Sequence, residues 1–309
     1  MALRRISPQA YRRWTLAAVV SLVIIIVTGA AVRLTGSGLG CSRWPECEKG
    51  QFIGASNAHQ TIEQVNRFFT GVMIIVIIGA VAGSLLRMPR RRDLTRLSLA
   101  LVVGILLQAV VGGIVVKTRL HPLAVIWHFL ISAVMLAGGL VLHQRAQDEN
   151  TSHRLTVPAT VRRIVLACGA LGAIVVISGT VVTGTGPHSG AYKNDPVRRF
   201  GFHLDTVAKV HSILVMALLA TLLFLFLKIR RTDAWLVLED RLTAVLFAVF
   251  VQGAIGYVQY FTKLPVGVVA AHIAGSTAVM ITLTRLVLRT RESMVSEAVS
   301  LAGVVPTLR

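Results

Sequence analysis

The chain has 309 residues, 54% of them hydrophobic and only 15% charged, with a mean hydropathy of +0.72. It is far more apolar than a soluble domain needs to fill its core, which excludes both a soluble globular chain and a disordered one. The net charge of +19, from 32 Lys and Arg against 13 Asp and Glu, would suggest a nucleic-acid partner in a soluble protein, but in a membrane protein it must first be read loop by loop.

Eight apolar runs follow one another, at 15–33, 62–86, 97–116, 124–142, 164–184, 206–227, 242–260 and 266–288. A spanning helix needs roughly 20 apolar residues, so these runs and their loops use up the length. The first run is preceded by Arg12, Arg13 and Trp14 and followed by no small-residue cleavage pattern, so it reads as a retained helix and not a signal peptide. Most of the 32 basic residues fall in the N-terminal segment, after runs 2, 4 and 6, and in the tail. Arg4, Arg5, Arg12 and Arg13, then Arg87, Arg90, Arg91, Arg92 and Arg96, begin that series, which closes with Arg285, Arg289, Arg291 and Arg309. The opposite loops carry fewer, among them Arg33, Arg43, Lys49, Lys193, Arg198 and Arg199. Positive-inside asymmetry then places both termini in the cytoplasm, which demands an even number of spans. On this reading the charge reports topology and contact with anionic lipid, and not a nucleic-acid partner.

The two halves repeat. Gln108, Gly112, Thr118, Leu120 and His128 recur at one constant offset as Gln252, Gly256, Thr262, Leu264 and His272. Gly29, Val32, Thr35 and Gly36 recur as Gly179, Val182, Thr185 and Gly186, and Thr61 and Val65 as Thr206 and Val210. The expected fold is therefore all-α and polytopic, with eight transmembrane helices forming two tandem four-helix bundles related by a pseudo-twofold axis along the membrane normal. Its parts are a cytoplasmic N-terminus (1–14), an N-terminal four-helix unit (15–143), a cytoplasmic linker (144–163), a C-terminal four-helix unit (164–289) and a cytoplasmic tail (290–309).

Ionisable groups inside spans are costly and default to function. Here they are His128, His211 and His272 near the outer starts of helices 4, 6 and 8, with Glu63, Asn66 and Arg67 opening helix 2. Histidines at corresponding helix starts suit bis-imidazole ligation of haem iron, since helices on opposite sides of a flat macrocycle can each present one nitrogen. Each could instead be an interfacial histidine bonded to a neighbouring helix. The first half differs, with Asn66 at the position of His211 and Glu63 at that of Ala208. A unit with His128 alone could hold a five-coordinate iron or a loosely held substrate, with Glu63 as a proton donor or relay; Glu63 could equally be the partner of Arg67 at i+4.

The first outer loop runs Arg33-Leu-Thr-Gly-Ser-Gly-Leu-Gly-Cys41-Ser-Arg-Trp44-Pro45-Glu-Cys47. Cys41 and Cys47 could form a short-loop disulfide, structural or redox-active, on the oxidising face. Cys168 reads as an inert packing residue. Arg33 could pair with a propionate or snorkel at the interface. His59, placed before helix 2, could assist Glu63. His121, His188 and His203 belong to outer loops, where they could touch a cofactor propionate or be simply solvated, and His143 and His153 belong to the cytoplasmic side, without chemistry.

On the Gly29-Ala-Ala-Val-Arg33-Leu-Thr-Gly-Ser-Gly segment with Cys41 and Trp44-Pro45, on Glu63 with Arg67, on Trp127-His128, and on His211 and His272, residues 10–290 resemble bacterial haem A synthase of the single-chain, eight-helix type. The resemblance implies a cell-membrane oxidoreductase that converts the C8 methyl of haem O into the formyl group of haem A for cytochrome oxidase. It implies a haem b cofactor between His211 and His272 in the second unit. Haem O would enter the first unit, with Glu63 essential, His128 as ligand, Asn66 and Arg67 beside it, and Cys41 and Cys47 a redox-capable pair. Haem O synthase, cytochrome oxidase assembly factors and an electron acceptor that the sequence does not name are the candidate partners, and self-association is left open. There are two departures. Many members read Glu-x-x-His-Arg where this chain reads Glu63-Gln-Val-Asn66-Arg67, and Thr185 to Asp205 lacks the second cysteine pair that some members carry. The rival expectation is a haem-binding electron carrier or haem transporter with no chemistry on the porphyrin.

Overall fold

The computed structural model describes residues 5–148, 153–192 and 195–293. Arg4, Lys193, Arg309 and the expected tail past residue 293 lie outside the described residues. The helices are α1 (Pro8–Leu34), α2 (Ala58–Leu86), α3 (Arg92–Lys117), α4 (Pro122–Gln147), α5 (Ala159–Thr185), α6 (Leu204–Ile229), α7 (Asp233–Phe261) and α8 (Val266–Arg289), all eight long and apolar enough to cross a membrane. A short antiparallel pair, β1 (His153–Leu155) with β2 (Arg291–Ser293), ties the α4–α5 connection to the end of α8.

Local chemistry sets the helix starts. Ser7 Oγ accepts the Ala10 N–H ahead of α1, with Pro8 in the first turn, and Asn57 accepts the Gln60 N–H ahead of α2. Pro122 opens α4, and Pro158 and Pro265 precede α5 and α8. Several helices begin well before the apolar runs, α1 at Pro8 and α7 at Asp233. Their first turns alternate lipid-shy charges with residues that pack inward, such as Tyr11 in α1 and Ala234, Leu238 and Leu242 in α7. Large apolar side chains elsewhere stand exposed, Val134 at 72% and Phe247 at 71%, as expected where the solvent is lipid.

Two cores result. One joins Tyr11, Leu22, Ile77, Leu94, Leu136 and Leu142 of α1–α4, and the other Val165, Leu218, Leu225, Leu238, Leu242 and Leu286 of α5–α8. Within each half the first helix packs on the second, the second on the third, the third on the fourth and the fourth on the first; α1 with α8, α4 with α8, and α4 with α5 join the halves. Exchanging α1–α4 for α5–α8 leaves this set of packed pairs unchanged. The α3–α4 and α7–α8 turns match in detail. Leu120 and Leu264 both have positive φ, 59° and 62°, and each closes its turn by donating to a carbonyl one turn back, Val115 O and Gln259 O.

Arginines fasten the basic end. Arg12 donates to Ala146 O and Gln147 O at the end of α4, Arg91 to Asp148 O and to Asp93, and Arg289 to Val237 O. Both cores gather towards this end. In the second bundle the buried apolar side chains stop at Leu218 on α6, Val249 on α7 and Leu283 on α8. The last turns of α7 and the opposite portions of α6 and α8 therefore leave the bundle interior less filled, and that is where the histidines sit.

Candidate functional site

In the second bundle, His211 lies two turns into α6 and its Nδ1 is 2.8 Å from Ser178 Oγ on α5. Ser178 Oγ also lies 2.9 Å from Val175 O, and in the tautomer where the hydroxyl gives its proton to that carbonyl, Ser178 Oγ accepts the Nδ1–H of His211. Nε2 is then unprotonated and free to ligate. Gly179 makes room for the ring, since a Cβ there would stand 3.1 Å from His211 Cε1. His272, on α8, meets the same provision from α7, where a Cβ on Gly256 would stand 3.1 Å from its Cε1. Its Nδ1 is buried with no hydrogen-bond partner among the described residues, while its backbone carbonyl accepts from Gln252 Nε2 at 2.7 Å. The two imidazoles are within electrostatic reach of each other. Two histidines from different helices, each seated on a glycine, at the less filled end of a helix bundle are a donor set that would suit haem iron.

The first bundle repeats the frame with different chemistry. His128 on α4 has its Cε1 3.3 Å from a Cβ added at Gly112, its carbonyl accepts from Gln108 Nε2 at 3.0 Å, and its Nδ1 is again buried without a partner among the described residues. Asn66 occupies the station of His211, and its Oδ1 accepts the hydroxyl of Thr28 at 2.8 Å, as Ser178 serves His211. Glu63, 7% exposed, is held by both oxygens. Oε1 takes Nε and Nη2 of Arg67 at 3.1 and 2.7 Å, and Oε2 takes the backbone N–H of Cys41 at 2.8 Å. Arg67 also donates to Pro45 O at 2.9 Å.

These bonds seat the first outer loop on the bundle. Cys41 and Cys47 are joined in a disulfide, and both are buried. Trp44 lies against Gly113 of α3, where a Cβ would stand 3.0 Å from its ring. The loop between α5 and α6 crosses to the same mouth. Gly38 N–H donates to Gly190 O at 2.8 Å, Arg119 pairs with Asp195 at 3.1 Å, and the His59 ring meets Tyr192 edge-on at 4.6 Å. Arg33 is part of this strap, donating at 2.9 Å each to His188 O and Thr183 O. Arg199 converges on Thr183 O at 2.5 Å and on Gly186 O, and its burial pushes the guanidinium below the usual arginine range.

The structure thus brings together Glu63, Arg67, Cys41 and Cys47 in one cluster, sets Asn66 one turn along, and leaves His211 and His272 within electrostatic reach of each other. It revises smaller expectations. His59 lies inside α2, not before it, and is bonded to Ser37 Oγ at 2.9 Å; no bond joins it to Glu63. His188 is bonded, not simply solvated, through Nε2 to Leu264 O at 2.9 Å. Cys168 is fully buried in the second core. Sequence reasoning missed Ser178 and Thr28, although they stand in the same register as the recognised pair Gly29 and Gly179.

Residues 12–284 match the COX15-CtaA family, described as cytochrome oxidase assembly protein. The chain belongs to this family. Among its relatives, a "Heme A synthase" of Bacillus pumilus is 34% identical over 123 residues, 39% of this chain and 40% of that protein. One of Exiguobacterium sibiricum is 29% identical over 169 residues, 54% and 57% of the two chains, and one of Bacillus licheniformis 30% over 124 residues, 40% and 41%. The chain thus spans about half or less of the length of these curated relatives. The family match and the eight helices long and apolar enough to cross a membrane fit a multi-pass membrane protein.

Proposed function

We propose that the protein is a haem A synthase, an oxidoreductase that takes the C8 methyl of haem O to a formyl group. The observation that carries this reading is the unequal furnishing of two matching bundles. One presents two imidazoles, the other a single imidazole, an amide and a carboxylate bonded on both oxygens. A carrier needs no carboxylate in the half that lacks the second histidine.

In this reading haem b is held by His211 and His272, and it supplies one-electron transfer when bound. The seats at Gly179 and Gly256 and the Ser178 bond fit that group. Haem O is the substrate of residues 15–143, near His128 and Asn66. Taking a methyl to a formyl group adds one oxygen atom and, with water as its source, releases four electrons and four protons to the electron acceptor and to solvent, so the site needs access to water, a base and an electron outlet. Glu63 is the base, or the anion that stabilises positive charge developing at the substrate, and the Cys41 amide and Arg67 keep it aimed. The disulfide loop holds that amide in place, so Cys41 and Cys47 position Glu63. The basic end faces the cytoplasm of the cell membrane with both termini, and the halves are related by a pseudo-twofold axis. An electron acceptor, haem O synthase and oxidase assembly factors are the partners.

The Glu63–Arg67 ion pair is the one observation that favours the rival, a haem carrier or transporter, because it gives Glu63 a structural task. Purification with haem O supplied, followed by haem extraction and pyridine haemochrome spectra, separates the two. The wild type is expected to yield haem A or its hydroxylated precursor; a wild type that yields neither contradicts the synthase reading. His211→Ala or His272→Ala is expected to remove the low-spin b-type spectrum, and survival of that spectrum rules out the ligand assignment.

A further inference from the structure

The Thr28–Asn66 contact has an exact structural counterpart in Ser178–His211, and the comparison says what Asn66 does. Both pairs join the first helix of a bundle to the second, and in both the contact is 2.8 Å. In the second bundle the tethered group is an imidazole with a free nitrogen. In the first it is an amide with its oxygen set towards Thr28 Oγ1, a hydroxyl that also lies 3.0 Å from Ile24 O; with the Thr28 proton on Asn66 Oδ1, that oxygen is engaged. The free end of Asn66 is therefore Nδ2, a donor with no partner among the described residues, and an amide N–H does not ligate iron. The space differs in the same sense. A Cβ on Gly179 would crowd His211, whereas a Cβ on Gly29, the matching glycine, would meet nothing within 4 Å.

We propose that Thr28 and Asn66 form the distal wall of the substrate site. The iron of haem O is held by His128 alone, and its open position takes a small ligand of the water or dioxygen class that hydrogen-bonds Asn66 Nδ2. This rests on the reading that the first bundle receives haem O. Hydrogen-bond donors and steric room on the distal side decide whether such an iron binds small ligands. The tether matters because an untied asparagine would rotate its amide and offer oxygen or nitrogen indifferently. Thr28 holds the oxygen end, which leaves Nδ2 as the free end, and Gly29 keeps the adjacent volume open.

The test uses carbon monoxide on the full-length protein carrying haem b and haem O. After reduction, the wild type is expected to form a carbonyl adduct at haem O and none at haem b, by absorption and infrared spectroscopy. Asn66→His, which the room at Gly29 accommodates, should turn haem O low-spin and abolish its adduct. Asn66→Leu should keep the adduct, shift its C–O stretch and speed carbon monoxide loss about tenfold, the worth of one hydrogen bond. Thr28→Val should shift the stretch in the same direction. Haem O that binds but is six-coordinate and silent to carbon monoxide in the wild type overturns this inference alone. An unchanged C–O stretch in Asn66→Leu overturns the part given to Asn66. A protein that never takes up haem O beside haem b, by haem-to-protein ratio, overturns the substrate-site reading and this inference with it.

Discussion

Glu63 is anchored on both oxygens, so the account ties its effect on chemistry to charge and not to shape. Glu63→Gln keeps an oxygen for the Cys41 amide but sets an amide nitrogen towards Arg67. Haem A formation should fall at least about a hundredfold, the scale of losing a positioned acid or base. The b-type spectrum should be unchanged, and a variant with wild-type haem A yield would leave Glu63 only its structural pairing. Ser178→Ala removes the hydroxyl bonded to His211 Nδ1 and should weaken haem b binding about tenfold, measured by haem titration. The sequence made Glu63, Asn66 and the three histidines visible because ionisable and amide groups are rare in apolar spans. It hid the Cys41 amide and Ser178. A backbone donor has no residue signature, and serine in a membrane helix most often bonds its own turn, as Ser178 also does with Val175.

At the scale of helices, the apolar runs located every span but underestimated several. Hydropathy registers contact with lipid, whereas a helix continues as long as its backbone bonds close and one face packs, which Tyr11 and Leu238 supply beyond the apolar stretch. The sequence repeat sets α3–α4 against α7–α8, and the turns at Leu120 and Leu264 match in backbone and in hydrogen bonding. The purpose of the recurring glycines was not legible, because it depends on which ring leans on them. Gly179 and Gly256 face imidazole carbons at distances that leave no slack for a methyl group. Gly256→Ala is therefore expected to displace His272 by a few tenths of an ångström, broadening the low-spin electron paramagnetic resonance signal. Gly253→Ala, where a Cβ meets nothing within 4 Å, should leave that signal alone. Equal spectra for the two variants would argue against the cradle.

Across the whole molecule, each bundle is filled at its basic end and furnished with polar groups at the other, and the loop between α5 and α6 straps the two mouths together. Arg33 is the main fastener of that strap, a role its position in the sequence did not reveal because both acceptors are carbonyls of the other half. Arg33→Met should cost about 3 kcal/mol, two charge-assisted hydrogen bonds, seen as a lower thermal midpoint in detergent. An unchanged midpoint would place Arg33 outside the strap. Orientation is open to the same kind of check. A cysteine at Arg90 should react with an impermeant reagent only after the membrane is opened, and one at Arg198 in intact cells. The measurement that tests the central claim most directly is haem extraction and chromatography from membranes of a host that makes haem O but no haem A. Expressing the wild-type chain should produce haem A, and expressing Glu63→Gln should leave haem O unconverted; wild-type membranes containing only haem B and haem O would contradict the account.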